Sequence, residues 1–254
     1  MSDLVLTSFA DGIAVVTINR PRARNAVNRA TAEAVAAAVD ELDARDDLVV
    51  GVITGAGGTF CAGADLKALA AGERSGIPGR GFCGITETPP AKPLIAAVEG
   101  FALGGGTELA LACDLIVAAE TATFGLPETK RGLIAAGGGL VRLPRRIPYT
   151  VAMQYALTGE PLPAKRAHEL GMVNELTATG EALEGALALA RRIAANGPLA
   201  VRASKQIVVE SADWTADEAW ERNRAACNPV FASADAKEGA RAFAEKRSPV
   251  WSGR

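Results

Sequence analysis

The first half of the chain alternates short runs rich in β-branched residues with stretches whose apolar residues recur at helical spacing. The spacing predicts strands at residues 4–7, 13–19, 49–54, 94–98 and 115–118 and helices at residues 31–44, 65–71 and 106–113. The first two runs flank Ala10-Asp11-Gly12 and predict a hairpin, and Thr31 is the expected cap of the first helix. Because strands that alternate with helices form parallel sheets covered by helices, the pattern predicts an α/β fold.

The second half of the chain has an almost entirely helical pattern. After Tyr149 this pattern predicts helices at residues 151–157, 164–170, 181–196, 199–211, 216–227 and 233–247. The last of these helices are expected to form a subdomain. They and their connections carry more large apolar residues than a thin peripheral layer needs, namely Trp214, Trp220, Phe231 and Phe243. Core packing and packing on a neighbouring subunit both explain them.

Residues 72–90, in the first half of the chain, form a long segment without periodicity that is rich in glycine and proline. A connection of this length is unusual in a compact domain. We therefore expect a loop that is mobile or covers a site.

Composition excludes several classes of function. His168 is the only histidine, which removes most imidazole-based metal sites, and its place at a helix end predicts a structural role. The net charge is -2 and no Lys/Arg run exceeds two residues, so nucleic-acid binding is not expected. The four cysteines lack Cys-x-x-Cys spacing, which suits a reducing compartment. With no signal-peptide pattern and no membrane-spanning apolar run, a cytoplasmic protein is expected.

Two glycine turns precede predicted helices and resemble no nucleotide-binding motif. They are Cys61-Ala62-Gly63-Ala64-Asp65 and Leu103-Gly104-Gly105-Gly106-Thr107-Glu108. Each leaves backbone N–H groups free before a helix, and two such groups that converge on one point form an oxyanion hole. The alternative is that the glycines only permit tight turns between strand and helix.

Two glutamates lie close to these glycine-rich turns in the sequence. Glu108 lies in the first turn of a strongly apolar helix, where an unpartnered carboxylate is costly, and Glu128 follows twenty residues later after Phe124-Gly125-Leu126-Pro127. If both face one cleft, repulsion and desolvation separate their pKa values into those of an acid and a base. The alternatives are a carboxylate that complements the helix dipole for Glu108 and an ordinary first-turn residue after Pro127 for Glu128.

An ordered set of motifs carries a family resemblance. The set comprises Asn19-Arg20-Pro21 with Asn25-Ala26, Phe60-Cys61-Ala62-Gly63-Ala64-Asp65-Leu66-Lys67, Lys92-Pro93-Leu94-Ile95-Ala96-Ala97-Val98, Ala102-Leu103-Gly104-Gly105-Gly106-Thr107-Glu108-Leu109 and Phe124-Gly125-Leu126-Pro127-Glu128. Over almost the whole chain this set resembles the crotonase (enoyl-CoA hydratase/isomerase) superfamily, and it is most similar to an enoyl-CoA hydratase.

The resemblance implies a fold, a substrate and an assembly. The implied fold is a crotonase-like α/β spiral of ββα units over residues 1–195, which holds the acyl-CoA site, with a helical C-terminal trimerisation region over residues 196–254. The implied substrate is an acyl-CoA thioester, so coenzyme A is part of the substrate and no metal or other cofactor is needed. The implied assembly is a homotrimer, or a homohexamer built as a dimer of trimers.

The resemblance also implies site residues. The N–H groups of Ala64 and Gly105 correspond to the oxyanion hole, Glu128 to the proton donor at the α carbon, and Glu108 to the group that orients and activates water. The positions that resemble coenzyme A contacts are Arg22, Arg24, Ala62, Ala64, Asp65, Leu66, Lys67 and Gly105, with Phe243 and Lys246 supplied by a neighbouring subunit. Arg20, Arg22 and Arg24 form either a phosphate-facing cluster or a solvated turn.

Several positions qualify the resemblance. Ala135-Ala136 stand where hydratases commonly have Pro-Gly, and alanine resists the positive φ that glycine accepts. Lys130 and Arg131 are polar enough to be expected on the surface, Cys61 is expected to be a packing residue, and Asp65 a helix cap or loop brace. The alternatives to a hydratase are an isomerase or specialised acyl-CoA dehydratase of the same superfamily, and a non-catalytic acyl-CoA-binding subunit.

Overall fold

The computed structural model describes residues 4–254. The strands are β1 Val5–Ala10, β2 Ile13–Ile18, β3 Val50–Gly55, β4 Gly76–Ile77, β5 Gly81–Phe82, β6 Leu94–Val98, β7 Phe101–Leu103, β8 Leu115–Ala119, β9 Thr123–Gly125, β10 Leu162–Pro163 and β11 Glu175–Thr177. The α-helices are α1 Arg29–Ala44, α2 Leu66–Ala70, α3 Gly105–Ala112, α4 Gly139–Arg146, α5 Tyr149–Thr158, α6 Ala164–Glu169, α7 Ala182–Ala194, α8 Pro198–Glu210, α9 Ala216–Ala232 and α10 Ala234–Glu245. Short 3-10 helices span Pro21–Ala23, Pro127–Arg131 and Ser211–Asp213.

The larger sheet has six strands in the order β1-β2-β3-β6-β8-β11. The predicted hairpin of β1 and β2 is present, and Asp11 and Gly12 at its turn have φ values of 52° and 77°. All other neighbouring strands in this sheet are parallel. Strand β6 is buried along its whole length because α1 packs on one face of the sheet and α7 on the other. The predicted parallel α/β architecture is therefore confirmed.

A second, three-stranded sheet in the order β10-β9-β7 carries the candidate site. Strands β7 and β9 are parallel, and an isolated bridge aligns Cys61 with Ala102 of β7. Strand β7 ends directly before α3, and β9 ends shortly before the 3-10 helix that contains Glu128. Glu108 and Glu128 thus lie on the segments that directly follow two adjacent strands of one sheet.

The structure corrects the expected start of α1. Asn28, not Thr31, is the N-cap, because the Asn28 Oδ1 accepts hydrogen bonds from the Thr31 N–H at 3.1 Å and the Thr31 hydroxyl at 2.7 Å. Thr31 is fully buried within the first turn. Both residue types cap helices, and the earlier of the two occupies the position from which its side chain reaches the third helical residue.

The secondary structure predicted for the second half of the chain was incomplete. The six predicted helices are present as α5 to α10, but the short strands β10 and β11 interrupt them. Helix α4 was not predicted, since Pro144 lies inside it and glycines precede it.

The C-terminal helices expose much of their apolar surface within this chain. The exposed fractions of Trp220, Phe231 and Phe243 are 70%, 76% and 88%, so core packing is wrong for these three side chains. Trp214 is partly buried. Coverage by a neighbouring subunit stays a prediction, as does the division at residues 195 and 196. Within residues 4–254, no helix combines the length and apolarity needed to cross a membrane.

A buried amide stabilises the turn that precedes α1. Asn25 is fully buried, its Nδ2 donates to the carbonyls of Ala56 at 2.8 Å and Thr59 at 2.5 Å, and its Oδ1 accepts from the Arg20 N–H at 2.9 Å. One side chain therefore satisfies three backbone groups of two turns that lie more than thirty residues apart.

We predict that Asn25→Ala lowers the free energy of unfolding by about 3 kcal/mol, because it leaves these buried backbone groups without partners. Urea denaturation at fixed protein concentration measures the change. The control is Asn196→Ala, at an exposed asparagine with a single hydrogen bond to its own helix, for which the change should stay within about 0.5 kcal/mol. Equal effects of the two substitutions would contradict the assignment.

Candidate active site

Two backbone turns meet without intervening side chains at the end of β7. The Cys61 N–H donates to Phe101 O at 2.9 Å, and the Leu103 N–H donates to Cys61 O at 3.0 Å. Gly63 has a φ of +91°, and a Cβ there would lie 2.7 Å from Leu103 O, while a Cβ on Gly106 would overlap the carbonyl of Cys61. Glycine is therefore required at both positions for the turns to approach.

This contact brings two free N–H groups to the same place. Neither the Ala64 N–H nor the Gly105 N–H has a hydrogen-bond acceptor among residues 4–254. Gly105 is the first residue of α3, and a Cβ on neighbouring Gly63 would lie 3.1 Å from its nitrogen. The N-terminus of α3 adds the positive end of a helix dipole. An oxygen that gains negative charge would be stabilised at this point.

Glu108, in the first turn of α3, is 3% exposed. Burial raises the pKa of its carboxyl group, and the charge of Glu128 raises this pKa further. The Gly139 N–H donates to Glu108 Oε1 at 2.9 Å, and the Gly137 N–H also faces the carboxylate. These two donors and the cation of Arg142 act in the opposite direction, since they favour the ionised form.

Glu128 lies in the 3-10 helix Pro127–Arg131 and is partly buried. Its Oε2 atom is buried and has no hydrogen-bond partner within the described chain. Its Oε1 atom lies against Gly104, where a Cβ would come within 2.9 Å. Burial raises the pKa of the Glu128 carboxyl group, while a hydrogen bond from its own backbone N–H and the charge of Arg131 offset part of this rise.

The two carboxyl groups lie in different environments beside the free N–H groups. Glu108 receives backbone donors that stabilise a carboxylate, whereas the buried Oε2 of Glu128 receives none. Two neighbouring carboxyl groups with unequal hydrogen bonding can serve as a base and an acid.

The segment 72–90 covers this site. A Cβ on Gly105 would lie 2.5 Å from Cζ of Phe82, so the ring packs on that turn, and a Cβ on Gly137 would lie 3.1 Å from the Phe82 Cβ. Arg80 pairs with Asp40 of α1 at 2.7 and 2.8 Å and ties the segment down. Sequence reasoning missed Phe82, although an aromatic residue within a glycine- and proline-rich loop is a recognisable signal.

The Ala135-Ala136 departure does not force the backbone into strain. Neither alanine has a positive φ, and Gly138 takes the left-handed conformation in this turn at +97°. Lys130 and Arg131 are exposed, as predicted.

The predicted arginine cluster needs one correction. Arg20 forms an ion pair with Asp65 at 2.8 Å, so Arg20 is not free to face a phosphate. Asp65 is also the predicted cap of α2, since its Oδ1 accepts from the Lys67 N–H at 3.1 Å and the Ala68 N–H at 3.3 Å. Hydrogen bonding to Arg20 lowers the pKa of Asp65.

The other predicted coenzyme A contacts lie in two regions of the chain. Ala62 is partly buried and precedes Gly63 in the first glycine turn, and the exposed residues near it are Arg22, Arg24, Leu66 and Lys67. Arg22 and Arg24 make no ion pair among residues 4–254. Phe243 and Lys246 lie at the end of α10, where they are exposed, and within the described chain no hydrogen bond or ion pair joins them to residues 62–67.

His168 and the cysteines have structural environments. His168 Nδ1 lies 2.9 Å from the carbonyl of Val173 at the end of α6, as its predicted structural role requires. Burial raises the pKa of Cys61 to about 12, which agrees with a packing residue. Cys83 and Cys113 are also buried with raised pKa values. No group of three or more His, Cys, Asp or Glu side chains within residues 4–254 is arranged to hold a metal ion.

These environments predict the thiol reactivity of the folded protein. At pH 8 a disulfide reagent should label no more than one thiol per chain, that of partly exposed Cys227, because the thiolate is the reactive form. Release of the reagent's chromophore measures the labelling, which should reach four thiols per chain in denaturant. Cys227→Ser should abolish the reaction of the folded protein, and rapid labelling of Cys61 would contradict the prediction.

Comparisons with known proteins agree with this geometry. The family model described as enoyl-CoA hydratase/isomerase matches residues 8–254. The crystal structure of the enoyl-CoA hydratase EchA1 from Mycobacterium marinum superposes with a TM-score of 0.97 at 60% identity and covers 99% of each chain. The enoyl-CoA hydratase EchA19 of Mycobacterium tuberculosis is 43% identical over 94% of this chain and 93% of its own length. The carnitinyl-CoA dehydratase of Salmonella typhi is also 43% identical, over 94% of each chain.

Proposed function

Because this chain belongs to the enoyl-CoA hydratase/isomerase family and has the crotonase fold of that family, we propose that it adds water to a trans-2-enoyl-CoA to give a 3-hydroxyacyl-CoA. The observation that carries the proposal is the pair of carboxyl groups, one buried and one partly buried and unequal in their hydrogen bonding, beside two free backbone N–H groups. Coenzyme A enters as part of the substrate, and the proposal requires no other cofactor.

In this proposal the thioester oxygen accepts hydrogen bonds from the N–H groups of Ala64 and Gly105. As the β carbon is attacked, electrons move onto this oxygen and an enolate develops. The two donors lie on a turn and a helix N-terminus that are already in place, so little reorganisation accompanies the charge. Loss of one such donor typically costs about 10²- to 10³-fold in rate.

The two glutamates carry the proton transfers. The Glu108 carboxylate takes one proton from water as the water oxygen bonds to the β carbon, and Glu128 donates its own proton to the α carbon. The substrate thereby gains OH and H across the double bond, and Glu108 is left protonated while Glu128 is ionised. Transfer of the proton from Glu108 to Glu128 through exchange with solvent restores the starting state.

Coenzyme A recognition is proposed at the exposed residues around the site. Arg22, Arg24 and Lys67 hold the phosphates, and Ala62, Asp65 and Leu66 line the same path. The absence of an ion pair at Arg22 and Arg24 within residues 4–254 supports this role, because their charge is not neutralised. Phe243 and Lys246 reach the nucleotide end from a neighbouring subunit of a homotrimer or a homohexamer, which the exposure of Phe243 supports.

Dehydration of a 3-hydroxyacyl-CoA is the second candidate. It is the same reaction in reverse and uses the same acid and base, and the similarity to a carnitinyl-CoA dehydratase favours it. Double-bond isomerisation needs only one carboxyl group to move a proton, so the presence of two favours hydration or dehydration. A non-catalytic acyl-CoA-binding subunit has no use for two carboxyl groups withdrawn from solvent without an ion pair.

We predict that Glu108→Gln and Glu128→Gln each reduce kcat by roughly 10²- to 10⁴-fold, because each removes a proton-transfer group. Loss of the conjugated-thioester absorbance of a short trans-2-enoyl-CoA follows the reaction. The control is Glu160→Gln, at an exposed glutamate without an ion pair among the described residues, which should retain full activity.

Undiminished hydration in both variants would contradict the proposed function. If the native enzyme does not act on a short chain, long, branched and ring-bearing enoyl-CoA substrates extend the test. A 3-hydroxyacyl-CoA in the reverse direction separates a dehydratase from an isomerase, and a 3-enoyl-CoA reports isomerisation through the appearance of conjugated-thioester absorbance.

The pH dependence of kcat should be bell-shaped with its acid limb above the ordinary range of a glutamate. At low pH the base Glu108 is protonated, and because burial raises its pKa, activity falls at a higher pH than it would for an exposed carboxyl group. At high pH Glu128 loses the proton that it must donate, and burial displaces that limb upward as well. A rate that stays constant down to about pH 4 would contradict this assignment.

A further inference from the structure

Arg142 lies where three parts of the site meet. It follows Gly139 by nearly one turn of α4, and the Gly139 N–H holds Glu108 Oε1 at 2.9 Å. The Arg142 Nη2 donates to the carbonyl of Thr86 in the segment 72–90 that covers the site. Its Nη1 packs on Gly138 so closely that a Cβ there would overlap it. The guanidinium therefore joins the covering segment to the glycine turn that orients Glu108.

The surroundings of Arg142 provide little compensation for its buried charge. The guanidinium is partly buried, and within residues 4–254 its hydrogen-bond partner is the neutral carbonyl of Thr86. Its neighbours Arg145 and Arg146 on α4 carry the same charge, and Cys113 faces it as a buried, neutral thiol. Burial lowers the pKa of Arg142, and the carboxylate of Glu108 is the group that acts most strongly in the opposite direction. No ion pair within residues 4–254 joins Arg142 to Glu108, and the structural link between them is the glycine turn: Arg142 packs on Gly138, and the adjacent Gly139 N–H donates to Glu108.

The relation is reciprocal at Glu108. The two charges that act on this carboxyl group are Glu128, from the 3-10 helix Pro127–Arg131, and Arg142, from α4. An ionised Glu128 opposes the ionised form of Glu108, whereas a protonated Glu128 does not, and Arg142 supports the ionised form in both cases. The backbone N–H groups of Gly137 and Gly139 supply the remaining stabilisation and carry no net charge.

We propose that Arg142 is a positioning residue for the proposed reaction. Its cation favours the ionised form of Glu108, so that this carboxyl group can act as the base, and its guanidinium holds the segment 72–90 against the glycine turn. The inference rests on the proposed function and adds a residue that acts through Glu108 and the covering segment rather than in the proton transfers themselves.

Two substitutions separate the charge from the hydrogen bond. Arg142→Gln keeps a donor for the Thr86 carbonyl but removes the cation, and Arg142→Lys keeps the cation but loses the planar guanidinium. Arg142→Gln should displace the acid limb of the kcat profile upward by about one pH unit, so that activity falls roughly tenfold at low pH and recovers as the pH rises. Arg142→Lys should keep the native limb. Arg145→Gln, at an exposed arginine of the same helix, is the matched control and should also keep it.

A merely structural role for Arg142 would lower kcat by the same factor at every pH, and an unmoved acid limb in Arg142→Gln would overturn the proposal. A substrate-free measurement keeps this outcome separate from the proposed function. NMR titration of ¹³C-labelled glutamate carboxyl groups, with the Glu108 signal assigned through Glu108→Gln, should show a higher Glu108 pKa in Arg142→Gln than in the native protein. An inactive native enzyme would contradict the hydratase assignment alone, whereas an unchanged Glu108 titration would contradict the role of Arg142.

Discussion

The close approach of two main-chain turns is the constraint on which the rest of this structure depends. Cys61 and the end of β7 form a short hydrogen-bonded ladder, and the turns that follow touch at Gly63 and Gly106 with no space for a side chain. Because both turns are held by strands and a helix, the N–H groups of Ala64 and Gly105 have fixed directions. Any substituent at either contact would separate the turns and move these donors apart, so the geometry of the site is determined before any charged residue is considered.

The second level of organisation is the inequality of the two glutamates. Both are removed from water, yet the turn 137–139 directs backbone donors at Glu108 and leaves Glu128 Oε2 without a partner. Helix α4 continues from that turn and brings Arg142 to the same side. In the proposed reaction an acid and a base therefore come from one residue type, and a glycine turn and the helix that follows it distinguish the two carboxyl groups.

Much of this arrangement could be predicted from local patterns. Helical and strand periodicity predicted the parallel sheet and the C-terminal helices, and glycines next to an apolar helix marked the candidate site at Glu108. The resemblance to a family then connected these residues, and the family and the fold were confirmed. The site assignments themselves stay predictions, although the geometry around Glu108 and Glu128 agrees with them.

The features that were missed depend on contacts between distant parts of the chain. Strands β7 and β9 have three residues each, too few to show a period, and they are defined only by their pairing with each other. The pairing of Arg20 with Asp65 spans 45 residues. Phe82 became recognisable as a site residue only when its loop was seen to fold over Gly105.

The use of main-chain donors also has a consequence for how such a scaffold diversifies. A substitution at Ala64 other than proline changes a side chain and leaves the peptide N–H in place, and one at Gly105 must also displace Phe82, so selection acts on these donors through packing and the shape of the backbone. The identity of the reaction depends instead on a few exchangeable carboxyl groups and on the loop that faces them. Under the proposed function, stabilisation of the enolate is thus inherited with the fold, while the acid and the base can each be changed by a single mutation.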